Sequence, residues 1–548
     1  MSLSIEIPKY KTSGIPRIMI PLSDKDFVDP VGALEVLKKY LPLILTRHYE
    51  NRVKLNYFYN YYLGTQDILK KRRLYRKDAK NNNIIAENHA YRQINFKVAF
   101  TTSEKRDYAH KSDSNCEDTI YLDRYMTDVD FFSKDKNIKE WVFATGVGCS
   151  YQCHRTDIIE AGANGQFGYR TKAQGFDIET EAPFEFSDLD PRDNFVVYSS
   201  IRGNEPLFCV SLVEQDKAFN GSLNGLAYDY KIYIETKYAR FVAKCSQSFQ
   251  GFQELKLETI KGFHSIPMVE HYANNARIGI VELNRDLFNC TNTLVSNVLD
   301  MVVDGANIIM VFKNTDIKQE TINQMIAKGA LVLNDKPDNK NNSEAKLDLI
   351  TIKIDFDGLN SFYEERLTQA YDIAGVPLAS GQVTSGGDTG QARLLGGGWE
   401  NARSVAKNDI NTLLKADYAV LKLILSICKD IPACPLRNIA ASQIDIKYHI
   451  NQSDNLLTKA EAIAQLYAVN MPKETILKTT GLVSDVCVEA QKWETEDERV
   501  KLFTRETQML NLINQNPSVE SGGEKEAADD KQDKDSKETN EKGNSAKA

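Results

Sequence analysis

No apolar run in this 548-residue chain is long enough to span a bilayer; the longest, around YAVLKLILSIC, is interrupted by Lys422. No membrane role is expected. A basic excess is missing as well. Lys and Arg total 68 against 76 Asp and Glu, a formal charge of -8, which argues against a general nucleic-acid coat but not against local basic patches. Cysteine is sparse, scattered and odd in number at nine, and the opening residues carry no charged-then-apolar leader, so a reduced, cytosolic setting is expected. The seven histidines form no HExxH, and neither a GxSxG elbow nor a GxGxxG after a strand is found. No catalytic set assembles, and neither an enzyme nor a cofactor or metal is expected. What remains, 42% hydrophobic and 26% charged, is an ordinary folded composition with room for several domains.

The chain divides by periodicity. To about residue 275 the pattern is α+β. VGALEVLKKYLPLILTRHYENRVKLNYFYNYYLG reads as helices ending at Gly64. KEWVFATGVGCSYQCHR, DNFVVYSS, LFCVSLVEQ and YDYKIYIETKYARFVAK read as strands between turn residues. From about 279 long helices take over. Leu283, Leu287, Cys290, Leu294, Val298 and Met301 make one apolar stripe; Leu359, Phe362, Tyr363, Leu367, Ala370 and Ala374 make a second, stopped by Gly375 and Pro377. Between them, roughly 305–355, lies a small αβ insert with ANIIMVFKN, the short helix QETINQMIAKG and LDLITIKID. The pattern is that of a helical hairpin with a decorated tip. A helix from near 390 to 430 would span roughly 60 Å, and further helices follow at about 455–510. The last residues, nearly free of apolar side chains, read as disordered.

Several stretches invite chemical readings. GQVTSGGDTG, from Gly381, is glycine-rich like a phosphate loop but lacks the Lys-Ser/Thr that reaches phosphate and magnesium. Asp128–Asp130 and Asp188–Asp190 are carboxylate pairs of a kind common in turns, and a solvated role is the better reading than a metal site. Cys149, Cys153 and His154 have the wrong spacing for a zinc knuckle and read as thiols on a strand. KKRRLYRK at 70–77 suits nucleic acid, a solvated face or a protein contact equally, and YFYNYY before it reads as core.

Taken in order, these segments resemble tailed-bacteriophage (siphophage-type) portal proteins. YYLGTQDILKKRR…NNNIIAENHAYRQINFKVAF is similar to that family's Tyr-Tyr-x-Gly and Asn-Asn-x-Ile elements, EWVFATGVGCSYQC to its helix-to-strand step, and DNFVVYSS to its Phe-Val-Val-Tyr strand. HSIPMVEHYANNARIGIVELNRDLFNCTNTLVSNVLD matches the strand that runs into a long helix. YDIAGVP, then GGDTGQARLLGGGWENARSVAKND, matches the approach to a loop and a long kinked helix, and TTGLVSDVCVEAQKWETE matches the C-terminal helical element. The similarity runs over about residues 40–510, while the triple glycine 396–398 departs from the family pattern.

The resemblance implies a portal-protein fold: a wing at 1–277, stem helices at 278–304 and 356–377 around a clip at 305–355, and a tunnel loop at 378–392. A long kinked helix returning to the wing at 393–453, a helical crown at 454–515 and a disordered tail at 516–548 complete it. It implies a ring of copies of this chain, typically a dodecamer, at one capsid vertex of the virion, assembled in the host cytoplasm. The terminase large subunit, a head-completion or adaptor protein, the major capsid and scaffolding proteins, and double-stranded DNA passing through the channel would be its partners. On that reading Thr384, Ser385, Asp388 and Thr389 project into the channel, Gln391 and Arg393 lie at the loop–helix junction, and Gly396, Gly397 and Gly398 form a hinge. The alternatives are a phage DNA-processing enzyme, a nuclease or packaging ATPase using GGDTG and the carboxylate pairs, or another capsid-associated adaptor.

Overall fold

Helix α1, Pro30–Tyr62, begins as its sequence dictates: Pro30 presets φ, and the Asp29 carboxylate accepts from the amides of Val31 (3.2 Å) and Gly32 (2.9 Å). Where helices were expected there is one, continuing through Pro42 and ending before Gly64, whose φ of 105° suits glycine. The computed structural model describes residues 13–70, 83–111, 117–155, 159–161, 167–169, 175–201, 203, 205–214, 230–245, 252–260, 265–305, 309–313, 346–350, 355–378, 399–450, 456–480 and 486–514. Residues up to Glu461 form one compact unit and those from Ala462 a second.

Around α1 the first unit adds β1 (Ile18–Ile20), α2 (His89–Thr101), β2 (Asp107–His110), α3 (Asp118–Asp128) and α4 (Phe131–Thr145). Strands follow: β3 (Val147–His154), β4 (Ile159–Ala161), β5 (Phe167–Tyr169), β6 (Phe184–Leu189), β7 (Asn194–Ser199), β8 (Pro206–Glu214), β9 (Tyr230–Thr236), β10 (Ala239–Cys245), β11 (Phe252–Ile260) and β12 (Met268–Tyr272). A six-stranded sheet runs β1-β7-β8-β9-β10-β11, antiparallel except for β1 beside β7, and a three-stranded sheet runs β12-β3-β6.

Helix α1 serves two cores with one face. Ala33, Leu37, Leu41, Ile44 and Leu45 bury against Phe208, Val210, Ile232, Ile234 and Phe241 of the large sheet. About three to five turns beyond Leu45, Leu55, Phe58, Tyr61 and Tyr62 enter a second core with α2, α3 and α4. The aromatic run at 57–62 is thus mainly core, as read from the sequence.

KEWVFAT was taken for strand and is helix. Its residues close α4, where Ile138, Val142 and Phe143 share a buried face, and Gly146 at φ 96° turns the chain into β3. Aromatic and branched residues suggested a strand; the three-to-four spacing decides. A Cβ on Gly146 would lie 2.4 Å from the Arg277 carbonyl oxygen, so both conformation and space demand glycine there.

Helix α5, Ile280–Gly305, and α6, Phe356–Ala374, pack as the expected pair. Between them β13 (Ile309–Lys313) and β14 (Lys346–Ile350) pair antiparallel, so ANIIMVFKN and LDLITIKID meet as a hairpin-like ribbon; QETINQMIAKG lies outside the described residues. Helix α7, Trp399–Asp430, spans about 48 Å at 1.5 Å per residue; the expected start near 390 lies outside the described residues. A short strand β15 (Ile444–Lys447) then pairs with β2. Helix α8 (Leu456–Ala468) crosses the boundary between units. In the second unit α9 (Lys473–Thr480) and α10 (Val486–Asn514) pack through Ile476, Leu477 and Ala490, with Tyr467 stacked on Trp493 at 5.4 Å. The tail expected at 516–548 lies outside the described residues.

The packing of α6 against α7 turns on one residue. Gly375 caps α6 at φ 64°, and a Cβ there would stand 2.7 Å from the Val405 side chain on α7. Gly375→Ala therefore combines backbone strain with overlap, and a loss of roughly 1–3 kcal/mol is expected. A thermal transition unchanged from the parent protein would refute this.

Charges are sealed beneath α7. Arg106, before β2, pairs with Asp135 on α4 and, at 2.9 Å, with Asp417 on α7. Lys139 reaches Asp135 at 2.6 Å, and the Tyr448 hydroxyl donates to Asp417. Burial pushes Lys139 down to about 8, helped by the Arg106 charge. Burial also opposes ionisation of Asp135, but Arg106 and Lys139 outweigh it and hold its carboxyl at about 2.

Candidate functional site

The paired helices α5 and α6 are fixed by polar contacts as well as by apolar ones. The stripe read from the sequence on α5 is not its buried face: Leu283 is 44% exposed, Cys290 is exposed, and Leu287, Leu294, Val298 and Met301 are half-buried. The buried face carries Asn284, Phe288, Thr291, Asn292 and Ser296 instead. Periodicity located a helix face correctly but not which neighbour it meets. The reason lies in residues 83–88, far away in sequence, which cover the polar side.

That segment lies on α5 as an extended strap. Asn83 donates from its backbone (2.9 Å) and side chain (3.0 Å) to Asp300 Oδ1, the Ile85 amide to Ser296 Oγ (3.0 Å), and the Glu87 amide to Asn292 Oδ1 (2.8 Å). Alternate strap residues thus meet every fourth helix residue, satisfying backbone amides that no strand partner serves. Gln66 locks the near end: it accepts from Asn292 Nδ2 and donates to the Glu87 carbonyl (3.3 Å) and to Asn88 Oδ1 (3.2 Å).

The same polar layer ties in α1, α2 and α6. Asp67 accepts from the Tyr57 hydroxyl (2.8 Å) and Asn289 Nδ2 (2.9 Å). Asn284 donates to the Ala370 carbonyl on α6 (2.7 Å) and to Gln93 on α2 (3.0 Å). At the strap's end Glu87 receives His89 Nε2 at 3.1 Å and the Tyr363 hydroxyl at 2.8 Å, and these bonds hold its carboxyl below the usual range. Glu87 and Tyr363 also line, with Leu294, Val295, Val298, Phe356 and Leu359, an open groove of about 520 Å³ between α5 and α6. Phe356, Phe362 and Ile373 are more than two-fifths exposed. Some apolar side chains of this helical pair thus face outward.

All the residues assigned to the loop and hinge, Thr384, Ser385, Asp388, Thr389, Gln391, Arg393, Gly396, Gly397 and Gly398, lie outside the described residues. Its two anchors do not. On one side Val376 is buried and Leu378 packs on the main core; on the other Trp399 packs against Phe96 and Phe100. The described residues on either side of 379–398 are thus held by packing. In the basic cluster, 71–77 also lie outside the described residues.

The carboxylate pairs have structural duties. Asp128 accepts from the Ala182 amide (2.9 Å), Asp188 from Asn137 (2.9 Å), and Asp190 clamps Arg192 with both oxygens. Cys149 is buried as expected, while Cys153 is only partly so, and His154 reaches Asp430 at 3.3 Å. Among the described residues no cluster of His, Cys, Asp and Glu is placed to hold a metal ion, and no helix is long and apolar enough to cross a membrane. The strap and its ladder Asn292–Ser296–Asp300 escaped the sequence reading. Polar residues spaced by four within an apolar helix were the available signal.

A family model described as phage portal protein, SPP1 Gp6-like, matches residues 43–501. No curated protein matches the chain.

Proposed function

Because the chain belongs to the phage portal protein family of the SPP1 Gp6-like type, we propose that copies of it form a ring at one vertex of a tailed-phage capsid. DNA enters through the ring's channel on packaging and leaves through it on ejection. The family match over most of the chain carries this reading. The hairpin α5–α6, with β13 and β14 paired between its helices and apolar side chains left outward, supports it. In this assignment 1–277 form the wing, 278–304 and 356–377 the stem, 305–355 the clip, 393–453 the long helix and its return, and 454–515 the crown. The clip meets the terminase large subunit during packaging and head-completion proteins afterwards, while major capsid and scaffolding proteins hold the ring's rim. The chain's role is structural; ATP hydrolysis belongs to the terminase.

The tunnel loop at 378–392 faces the DNA through Thr384, Ser385, Asp388 and Thr389, with Gln391 and Arg393 at its root. Duplex DNA carries about one charge per 1.7 Å, and a lining that neutralised six to ten phosphates would hold it by several decades of affinity. An acidic chain with few basic loop residues guides without gripping. Electron microscopy of the purified protein is expected to show rings of about a dozen subunits with an axial hole. A monomer or compact dimer at all concentrations would overturn the assignment.

Gly396, Gly397 and Gly398 serve as the hinge between loop and helix. Glycine costs about 1 kcal/mol per position in a helix relative to alanine. Replacing all three with alanine is expected to stiffen this point by about 3 kcal/mol and to reduce DNA packaged per particle while rings still form. Normal packaging by the triple variant would remove the hinge from the mechanism.

A further inference from the structure

A cavity of about 130 Å³ opens where the end of α2, the last turns of α3 and the start of α4 meet β2. Its walls are largely apolar: Met126, Phe131 and Phe132, with Tyr108 beside them. Arg106 and Asp135 also line it, and there charge is already balanced, because the cations Arg106 and Lys139 face the carboxylates Asp135 and Asp417. Two buried hydroxyls join the lining. Thr101 donates to the Lys97 carbonyl (2.8 Å) and Thr102 to the Val98 carbonyl (2.6 Å), so what both have left to offer is oxygen lone pairs. At the rim the charges do not balance. Glu104, Asp123 and Asp130 line the cavity, are exposed, and have no ion-pair partner among the described residues, while Lys105 beside them reaches Thr127 Oγ1 at 3.3 Å. Asp130 also holds a left-handed backbone, φ 51°, at the start of α4 although its side chain makes no capping bond there.

We propose that this cavity is a binding site for a short aliphatic diamine. Size sets the body of the ligand: a cavity of about 150 Å³ holds benzene, so this one takes about six non-hydrogen atoms, as many as butane-1,4-diamine has. Charge sets its ends. Three carboxylates against one ammonium leave the rim negative, and the threonine oxygens want donors, so the ligand is a cation rich in N–H groups. A bare metal ion fits less well. Among the described residues no group of His, Cys, Asp and Glu is placed to hold one, and the walls at Met126, Phe131 and Phe132 offer it no oxygen. Methylenes answer those walls, and ammonium groups answer the carboxylates and hydroxyl oxygens. Bound there, the diamine ties α2, α3 and α4 together beside the Arg106 cluster. The site does not depend on the ring or its channel, and purified protein suffices to test it.

Full-length protein is dialysed to equilibrium against labelled butane-1,4-diamine at constant ionic strength. One saturable site per chain is expected, half-filled on the order of 0.1–1 mM. Hydrogen exchange should slow over 101–108 and 121–135 and stay unchanged in the large sheet. Ammonium ion has the charge without the body and is expected not to compete. Asp123→Asn combined with Asp130→Asn is expected to weaken binding at least about tenfold. Asparagine accepts the left-handed backbone at 130, and circular dichroism establishes that the variant folds; if it does not, the exchange pattern of the parent protein decides. Glu35→Gln combined with Glu50→Gln, which removes two exposed carboxylates from α1, should bind as the parent does. Four results would each overturn the proposal: no saturable site in the parent protein, protection confined to other segments, undiminished binding by a folded Asp123/Asp130 variant, or equal displacement by ammonium, the sign of a loose ion atmosphere.

Discussion

Asp417→Ala is expected to destabilise the protein by about 3–5 kcal/mol, the loss seen when one member of a buried ion group is removed. Asp417 is 3% exposed and serves two partners at once, the Arg106 guanidinium and the Tyr448 hydroxyl. Without it, two cations, Arg106 and Lys139, remain buried against one carboxylate, Asp135. The neighbours cannot relax into water, because Arg106 and Lys139 are themselves buried. Asp417→Asn keeps one acceptor oxygen but loses the second and the charge, so its loss should fall between alanine and the parent. The midpoint of urea unfolding for the three proteins decides the matter. A change below about 1 kcal/mol for alanine, the value of an exposed pair, would mean that water reaches this cluster.

Acid should weaken the fold well before its carboxylates protonate. His48 is buried, stacked on Phe195 at 3.8 Å, and its Nε2–H donates to the Arg192 carbonyl at 2.8 Å. Burial lowers its pKa from 6.5 to about 3, and burial likewise lowers His271 to about 4. In the unfolded chain both rings take a proton near 6.5. Between that pH and about 4 the unfolded state therefore binds more protons, and stability rises with pH and falls as pH drops. Each histidine contributes a slope of up to about 1.4 kcal/mol per pH unit. Lowering the pH from about 6.5 to 4.5 should thus cost several kcal/mol. His48→Gln keeps a donor for Arg192 without a titration, and is expected to remove about half of that slope. An identical pH profile for parent and variant would show that His48 is protonated in the folded state.

How much of this was readable beforehand depends on range. Contacts that follow from local spacing were legible: the helical stretch ending at Gly64, the strand character of YDYKIYIETKYARFVAK, the helical pair with strand segments between its helices, and the stop at Gly375. Misreadings arose where composition and period disagreed, as in KEWVFAT. The direction of the α5 face was illegible because its partner is a strap some 200 residues earlier, held by backbone amides that leave no mark in composition. The ion cluster joins positions 106, 135, 139, 417 and 448, and no window along the chain contains them together. The proposed tunnel loop rests on motif order alone, and the packing of the flanking residues Leu378 and Trp399 is what the structure adds.

The strap on α5 works as a vernier. Two residues of extended chain advance about 6.6 Å, whereas four residues of helix advance about 6.0 Å, so successive rungs drift apart by roughly 0.6 Å. Three rungs, at Asn83, Ile85 and Glu87, tolerate the drift; a fourth or fifth would fall outside hydrogen-bonding range. Unequal repeats therefore limit the seam's length by themselves.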